Sequence, residues 1–228
     1  RDYYASRGLG DVYKRQAGIY DKAIDCLERL SKNDEYRLDA LRSLLRIRCT
    51  EHDWEAAIES ARRLEKEASE DHSADIAHFH CELAELAVKQ KNPEAAEREV
   101  SLALLEKPYS PRALMLAGDF AFQKNQVKEA VEDWEKLRQH SEDHFPLVFG
   151  RLVKGYDALG DAAGAQAVID YALNRFPTSE VVEQAMKRAF KDKGQHAAAE
   201  IVSKGLSGHP TLGTLSVAME FRKMIAPD

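Results

Sequence analysis

Residues 114–137 read LMLAGDFAFQKNQVKEAVEDWEKL. The small and apolar residues of the first half recur at i, i+3, i+4 and i+7, on one face of a helix: Leu114, Ala117, Gly118 and Ala121. A polar break follows at residues 124–126, and a second apolar face resumes at Ala130, Trp134 and Leu137. The stretch therefore predicts two helices joined by a tight turn, and the missing side chain of Gly118 leaves room for a close approach.

The same frame recurs along the chain at a spacing near 34 residues. The alanine of the second helix returns with gaps of 34, 39, 34, 35 and 33 residues at Ala23, Ala57, Ala96, Ala130, Ala165 and Ala198. A period near 34 is the sequence signature of tetratricopeptide helix–turn–helix repeats. We therefore predict an all-α fold, a right-handed superhelical solenoid of about six helix–turn–helix units.

Glycine and proline mark the ends of the predicted helices. The turn position, which favours a left-handed residue, holds Gly18, Gly160 and Gly194, with Asn125 and the pair Lys91-Asn92 as polar substitutes. Prolines stand where the second helix of a unit should stop, at Pro108, Pro177 and Pro210. The gap of 39 residues is explained by a polar insertion at 65–73, which we expect to be solvated and not to form a site.

Composition excludes several classes of function. The net charge of −6 disfavours a protein that binds the phosphate backbone, so we expect no nucleic-acid partner. No apolar stretch approaches the ~20 residues of a membrane-spanning helix, so we expect no direct membrane insertion. The three cysteines, Cys26, Cys49 and Cys81, form no CxxC pair and are expected to be small buried residues.

The sequence also lacks the usual signatures of enzymes. It contains no glycine-rich phosphate loop, no nucleophile elbow and no HExxH helix. His78, His80 and Cys81 are close in sequence, but residues i and i+2 of a helix point to different faces, which disfavours a metal site. We therefore predict a non-enzymatic protein with no catalytic residues and no metal ligand.

A partner-binding groove is predicted on the first helices of the units, because helical solenoids use their concave surface for binding. Mapping frame positions 2, 5, 9 and 12 onto the chain gives these candidates: Arg42, Arg46, His78, Glu85, Arg112, Asp119, Phe122, Lys154, Lys187 and Phe190. The same mapping includes Cys81. Each residue alone could equally be part of an ordinary solvated face. The four asparagines lie outside these positions, which disfavours a carboxylate clamp.

Residues 1–16 do not follow the repeat frame. Counting back twelve residues from Ala23 reaches Asp11, where the other units place a small or apolar residue. We interpret 1–16 as a non-native segment and 17–228 as a tetratricopeptide array that is a fragment of a longer protein.

Several stretches between the alanines resemble the lipopolysaccharide assembly protein B family. They are Ile76-Ala77-His78-Phe79-His80-Cys81-Glu82-Leu83-Ala84, Gly18-x-Tyr20-Asp21-Lys22-Ala23, Trp54-Glu55-x-Ala57-Ile58 with Arg63-Leu64, and His209-Pro210-Thr211. The order and spacing agree from about Ala17 to Phe221. The run from Ile76 to Ala84 is the most specific of them.

This resemblance implies a non-enzymatic adaptor in Gram-negative bacteria, at the cytoplasmic face of the inner membrane. Members of the family help the membrane protease FtsH to degrade LpxC, the lipid A deacetylase, so both proteins are implied as partners. The resemblance also implies a membrane anchor and a rubredoxin-like module holding zinc or iron, both missing from this chain, which itself is expected to be soluble and without a cofactor. The alternative is a generic tetratricopeptide scaffold for protein–protein interaction in envelope assembly or secretion.

Overall fold

The computed structural model describes residues 18–226 of the 228-residue chain. Within this range the chain is helical, with no strand. The helices are α1 (18–30), α2 (Arg37–Glu51), α3 (Trp54–Ala68), α4 (Ser73–Lys89), α5 (Pro93–Glu106), α6 (Pro111–Gln123), α7 (Val127–His140), α8 (Phe145–Ala158), α9 (Ala162–Arg175), α10 (Ser179–Lys193), α11 (Gln195–Gly208) and α12 (Leu212–Ile225), with a 3-10 turn at Glu142–His144. The predicted non-native segment 1–16 lies outside the described residues.

The chain divides into two compact units, Arg1–Leu116 and Ala117–Asp228. In the first unit α2 packs along α3, α4 packs along α5, and α3 contacts α4. In the second unit α8 packs along α9 and α10 along α11, while α12 contacts both α10 and α11. The predicted all-α class and the tetratricopeptide type of helix pairing are confirmed.

The repeated alanine is buried in the second helix of each complete pair. Its exposed fraction is 0% at four positions and 1% at the fifth: Ala57, Ala130, Ala165, Ala198 and Ala96. Ala23 on α1 is only half-buried. Ile24 and Leu27 of α1 pack against the core of α2 and α3.

Gly118 has the close approach that the sequence predicts. A Cβ atom built on Gly118 would overlap the indole ring of Trp134 on α7. Trp134 is 2% exposed and belongs to the buried face of α7 together with Ala130 and Leu137. A side chain at residue 118 would therefore displace the largest residue of this core.

At four of the predicted turns, a residue with a left-handed backbone follows the first helix of the unit. Their φ angles are 58° at Lys91, 62° at Asn125, 72° at Gly160 and 84° at Gly194. The prediction for Gly18 is wrong, since this residue lies inside α1 and has no left-handed φ. Glycine tolerates helical and left-handed backbone alike, so its presence alone does not place a turn.

Prolines follow three of the second helices at the predicted positions. Helices α5, α9 and α11 end at Glu106, Arg175 and Gly208, in each case two residues before a proline. Proline cannot continue a helix, and it restricts the residue before it to extended backbone. The ends of these helices are therefore encoded locally.

Cysteine burial differs from the prediction. Cys81 is 0% exposed and packs with Ala77, Ala103 and Ala113 between α4, α5 and α6. Cys49 is half-buried, and Cys26 is exposed. The predicted burial of Cys26 is wrong, because it lies on the side of α1 that no described residue covers.

Candidate partner-binding surface

Predicted groove residues of the first unit gather around Arg112. Its Nη1 donates to Oε1 of Glu82 at 2.6 Å, and its Nη2 donates to Oε1 of Glu85 at 2.7 Å. The same Nη1 lies 3.1 Å from Nδ1 of His78. Arg112 thus joins the start of α6 to α4, and two carboxylates neutralise its charge.

The thiol of Cys81 lies in the core behind this cluster. Burial raises the pKa of Cys81 to about 11, an effect that the Arg112 charge opposes and Glu85 and Glu82 reinforce. The thiol is therefore protonated at neutral pH and is a poor nucleophile. Its inclusion among the groove positions is wrong, since its side chain is fully buried.

His78 contributes to an aromatic corner between α3 and α4. Its ring is half-exposed and meets Trp54 edge-on at 6.2 Å and Phe79 at 5.9 Å between ring centroids. Trp54 in turn stacks on Phe79 at 5.6 Å. His78 therefore offers a partly exposed imidazole beside the paired Arg112.

The two predicted arginines of α2 differ in their partners. The Nε of Arg42 donates to Oε1 of Glu70 at 3.2 Å, and its Nη1 donates to Oδ1 of Asp39 at 3.1 Å. The hydrogen bond and charge of Glu70, and then those of Asp39, raise the pKa of Arg42. Arg46 is exposed and forms no ion pair with any residue between 18 and 226.

In the second unit the predicted Asp119 on α6 is paired with Arg151 on α8. Arg151 donates through Nε to Oδ1 at 2.6 Å and through Nη2 to Oδ2 at 2.8 Å. This two-pronged geometry is the strongest form of an arginine–carboxylate contact. Next to it the ring of Phe122 lies 5.7 Å from that of Trp134.

Ion pairs also join the later first helices of this unit. Asp157 on α8 accepts from Nη1 of Arg188 on α10 at 2.8 Å. The Nζ of Lys187 on α10 contacts Glu183 at 2.5 Å and Glu220 on α12 at 3.0 Å. Hydrogen bonds to these two carboxylates raise the pKa of Lys187. Most predicted groove charges are therefore already paired between neighbouring helices.

Phe190, another predicted groove residue, packs into the core. Its ring meets Phe221 on α12 edge-on at 6.3 Å and lies against the cluster formed by α10, α11 and α12. It is only partly buried, but its main contacts are with this cluster. Phe190 therefore stabilises the packing of α12 more than it offers an open aromatic surface.

A groove of about 530 Å³ lies between α6, α8 and α10. Its walls include the predicted Asp119, Phe122 and Lys154, and also residues that sequence reasoning missed: Leu147, Gly150, Arg151 and Glu180. Leu147 and Gly150 occupy frame positions 2 and 5 of their unit, and Glu180 occupies position 2 of the next. The repeat frame alone could therefore have found these three. It gives no signal for Arg151, which enters the groove through its pairing with Asp119.

The histidines next to Cys81 have separate partners. The Nδ1 of His80 lies 2.8 Å from Oε2 of Glu99 on α5, and this side chain is 10% exposed. His78 instead faces Arg112. Residues 18–226 contain no group of three or more His, Cys, Asp or Glu side chains arranged to hold a metal ion.

None of the helices described between residues 18 and 226 combines the length and the apolar character that crossing a membrane requires. The longest helix from α2 to α12 is α4, with 17 residues.

Comparison with known proteins gives a consistent match in sequence. No family model matches the chain. It is 25% identical over 217 residues to a curated protein of Escherichia coli (strain K12), covering 95% of this chain and 56% of that protein. The chain is similar to lipopolysaccharide assembly protein B. The Haemophilus influenzae protein of the same name is 24% identical over 186 residues, covering 80% of this chain and 46% of its own.

The resemblance predicted from the runs around Ile76–Ala84 is confirmed. The chain spans about half the length of the lipopolysaccharide assembly protein B sequences that it matches. The match in E. coli extends along nearly the whole of this chain, so it includes both compact units.

A solved structure supports the fold. The structure of pilF from Pseudomonas aeruginosa superposes with a TM-score of 0.51, covering 90% of this chain and 86% of its own. The identity is 18%, so this likeness concerns the fold alone.

Proposed function

We propose that this chain is a non-catalytic scaffold in lipopolysaccharide assembly and, in finer terms, an adaptor that promotes degradation of LpxC by FtsH. The observation that carries the proposal is the similarity to lipopolysaccharide assembly protein B, which extends over 217 residues in one alignment. A shared repeat frame alone would not favour this relative over other tetratricopeptide proteins.

The described side chains fit the proposed non-catalytic role. Its guanidinium groups and carboxylates face each other across neighbouring helices, as Arg112 with Glu85 and Arg151 with Asp119. Such pairs hold helices in register. The thiol of Cys81, which could have served as a nucleophile, is buried and carries a raised pKa.

We place the site of action at the cytoplasmic face of the inner membrane, as the resemblance implies. Zinc or iron would then be held by a rubredoxin-like module of the full-length protein. The cysteines of this chain do not suit that task, because Cys26, Cys49 and Cys81 lie on three different helices and range from exposed to buried. Structural zinc sites need four convergent ligands.

A chimera tests the proposal. Residues 18–226 of this chain would replace the matching portion of lipopolysaccharide assembly protein B in an E. coli strain that lacks its own copy. The amount and half-life of LpxC are then followed by immunoblot after translation is blocked. We expect LpxC turnover to return towards that of the parent strain.

A second chimera, carrying the helical array of pilF in the same place, is the matched control for fold. LpxC turnover restored by both chimeras would contradict the proposal and favour a generic scaffold. Stable LpxC despite normal expression of the first chimera would contradict the adaptor role. Restoration by the first chimera alone supports it.

A further inference from the structure

Another cavity of the second unit lies between helices α9 and α11 and shares no lining residue with the groove between α6, α8 and α10. We call it the α9–α11 pocket, and its volume is about 220 Å³. Its walls are mainly apolar side chains and glycines, which are Leu173, Pro177, Val182, Ile201, Gly205 and Gly208. Val182 is 1% exposed and belongs to the core of α10, α11 and α12, so the pocket reaches down to that core.

Two glycines of α11 shape the pocket. A Cβ atom at Gly205 would lie 2.9 Å from Cγ1 of Val182, which is closer than side chains normally approach. The missing side chain of Gly205 therefore lets α11 lie directly on α10. A Cβ atom at Gly208 would meet no side chain and no other helix within 4 Å. The core thus fixes the packing at Gly205, while the space beside Gly208 is open to a ligand.

The polar residues that line the pocket are Asn174, Lys204 and His209, and none of its described lining residues is Asp or Glu. Lys204 forms no ion pair with any residue between 18 and 226, so its three N–H donors have no carboxylate acceptor there. The side chains of Asn174 and His209 form no hydrogen bond within this range either. The groove between α6, α8 and α10, in contrast, contains carboxylates as well as cations. In a chain of net charge −6, this pocket is therefore selective for an anion.

Helix ends near the pocket contribute smaller charges than Lys204 does. Helices α9 and α11 end at Arg175 and Gly208, and the C-terminal end of a helix carries about half a negative elementary charge. Helix α10 begins at Ser179, two residues after Pro177, and its start carries about half a positive charge. These contributions sum to about −0.5, which is less than the full positive charge of the Lys204 ammonium group. The local charge therefore still favours an anion.

The volume of the pocket limits the size of the ligand. A cavity of ~150 Å³ lined by apolar side chains holds benzene, a molecule of six carbon atoms. On the same scale a pocket of about 220 Å³ has room for about eight or nine carbon atoms. Small-molecule sites combine apolar walls with a few polar groups that orient the ligand. A single aliphatic chain with a negative group at one end matches both the walls and the donors.

We propose that the α9–α11 pocket binds an aliphatic carboxylate, with its chain against Leu173 and Ile201 and its carboxylate beside Lys204. Burial of the chain supplies affinity. The ammonium group of Lys204, together with the N–H donors of Asn174 and His209, favours a carboxylate over a positive head group. The pocket is separate from the first-helix surface on which partner proteins are predicted to bind, and it adds a small-molecule ligand to the scaffold. This proposal does not rest on the adaptor role.

Binding can be measured by titrating octanoate into the ¹⁵N-labelled protein and following its amide resonances. We expect saturable shifts at Leu173 on α9 and at Gly205 and Gly208 on α11. Hexanoate should bind more weakly than octanoate, by about twofold to fourfold for each missing methylene, and decanoate and dodecanoate should gain little more.

Two results of this titration would overturn the proposal. One is the absence of saturable shifts up to about 5 mM octanoate, or shifts spread evenly over both units. The other is an affinity that keeps rising by the same factor up to dodecanoate, because that is the behaviour of an unspecific apolar surface and not of a pocket of fixed volume.

Ligands with different head groups test the assigned charge. Octylamine carries the same chain with a positive head group and should bind at least threefold more weakly than octanoate. Lys204→Gln should weaken octanoate about twofold to fivefold and leave octan-1-ol unchanged. The control is Lys193→Gln, since Lys193 is exposed on α10 and does not line the pocket; it should change neither ligand. Octylamine that binds as tightly as octanoate, or an equal effect of Lys204→Gln on octanoate and octan-1-ol, would refute the anion site.

A matched pair of leucines separates loss of the pocket from loss of stability. Leu173 and Leu206 are both partly buried against the core of α10, α11 and α12, but only Leu173 lines the pocket. Leu173→Ala should weaken octanoate at least fivefold, and Leu206→Ala should keep its affinity within about twofold. Dispersed amide resonances show that each variant is folded. Equal affinity of the two folded variants for octanoate would contradict the assigned pocket.

Discussion

His72 lies between carboxylates on both sides of its ring. Its Nδ1 is 2.9 Å from Oδ2 of Asp75, and its Nε2 is 3.2 Å from Oε2 of Glu70. A neutral imidazole has one N–H donor, so only the imidazolium form donates to both carboxylates. Its backbone N–H donates to Oε1 of Glu65 on α3, and Arg42 on α2 shares Glu70. None of the residues of the polar insertion 65–73 is buried, as expected, but its contacts also tie it to α2, α3 and α4.

We expect these contacts to make stability depend on pH. The hydrogen bond to Asp75 raises the pKa of His72 above its ordinary value of 6.5, against the opposing effect of burial and with the support of Glu70. Because the pKa of His72 is higher in the folded state, its contacts stabilise the protein fully at a pH below the pKa of the unfolded state. This stabilisation disappears as the pH rises through the pKa of the folded state. Urea unfolding at pH values on both sides of this window should show His72→Gln less stable than wild type only on the acidic side.

His196 provides the control for this titration. It also lies near a carboxylate, Glu200, but its side chain is 93% exposed. Exposed ion pairs contribute little to stability, so His196→Gln should follow the wild-type pH profile. A stability difference for His72→Gln that is constant across the pH range would show that its contacts do not depend on protonation.

The repeated alanines allow a direct test of core packing. Ala165 on α9 is 0% exposed, and α9 packs along α8. Ala165→Leu should overpack this contact and lower the free energy of unfolding by about 1–3 kcal/mol. Ala167 is exposed on the same helix, so Ala167→Leu should change it by less than about 0.5 kcal/mol. Equal unfolding midpoints in urea for the two variants would contradict the assigned register.

At the scale of helices, α12 differs from the other first helices in its exposed apolar stripe. Leu215 and Met219 are 50% and 64% exposed. Val182 and Met186, the corresponding residues 33 positions earlier on α10, are 1% and 0% exposed because α11 packs along that helix. The same sequence pattern is thus buried or exposed according to whether a second helix lies on it.

Because Met186 is buried and Met219 is exposed, we expect replacement by alanine to affect stability very differently at these two positions. Met186→Ala should lower the free energy of unfolding by about 2–5 kcal/mol, because it leaves a cavity in the core of α10 and α11. Met219→Ala removes the same atoms from an exposed position and should cost less than about 0.5 kcal/mol. Urea denaturation of both variants is the measurement. A large loss for Met219→Ala would mean that its side chain is buried in solution, for example in an oligomer.

At the scale of the whole molecule, charge limits the kinds of partner. Acidic residues exceed basic ones, 39 against 33, and many of the basic side chains are held by carboxylates. A protein gains affinity for a polyanion through counterion release only when several free Lys or Arg side chains contact it together. The surface is therefore better suited to protein segments that present both charges than to nucleic acid.

Chromatography on heparin tests this directly. We expect the chain to pass through the column at about 0.1 M salt, since a net charge of −6 gives it no overall attraction to a polyanion. Retention that falls steeply with rising salt would contradict this expectation. Lys154→Glu and wild type should behave alike, because one cation contributes little to such binding.

Much of the fold could be predicted because its signals are local and periodic. The alanine frame, the close approach at Gly118 and the prolines after α5, α9 and α11 each need only a few neighbouring residues to act. The candidate surface was less predictable. The frame places Asp119 and Arg112 on the first helices, but it does not show that Arg151 and Glu85 neutralise them.

The sequence by itself determined the class of fold, the register of its helix pairs and the resemblance to lipopolysaccharide assembly protein B. Only the tertiary structure decided which charges remain available. Partners such as Asp119 and Arg151 are 32 residues apart, and Asp157 and Arg188 are 31 residues apart. Their meeting depends on the rotation and sliding of one helix against the next, which is set by the packing of all the side chains between them. That packing leaves Lys204 without a carboxylate partner among residues 18–226.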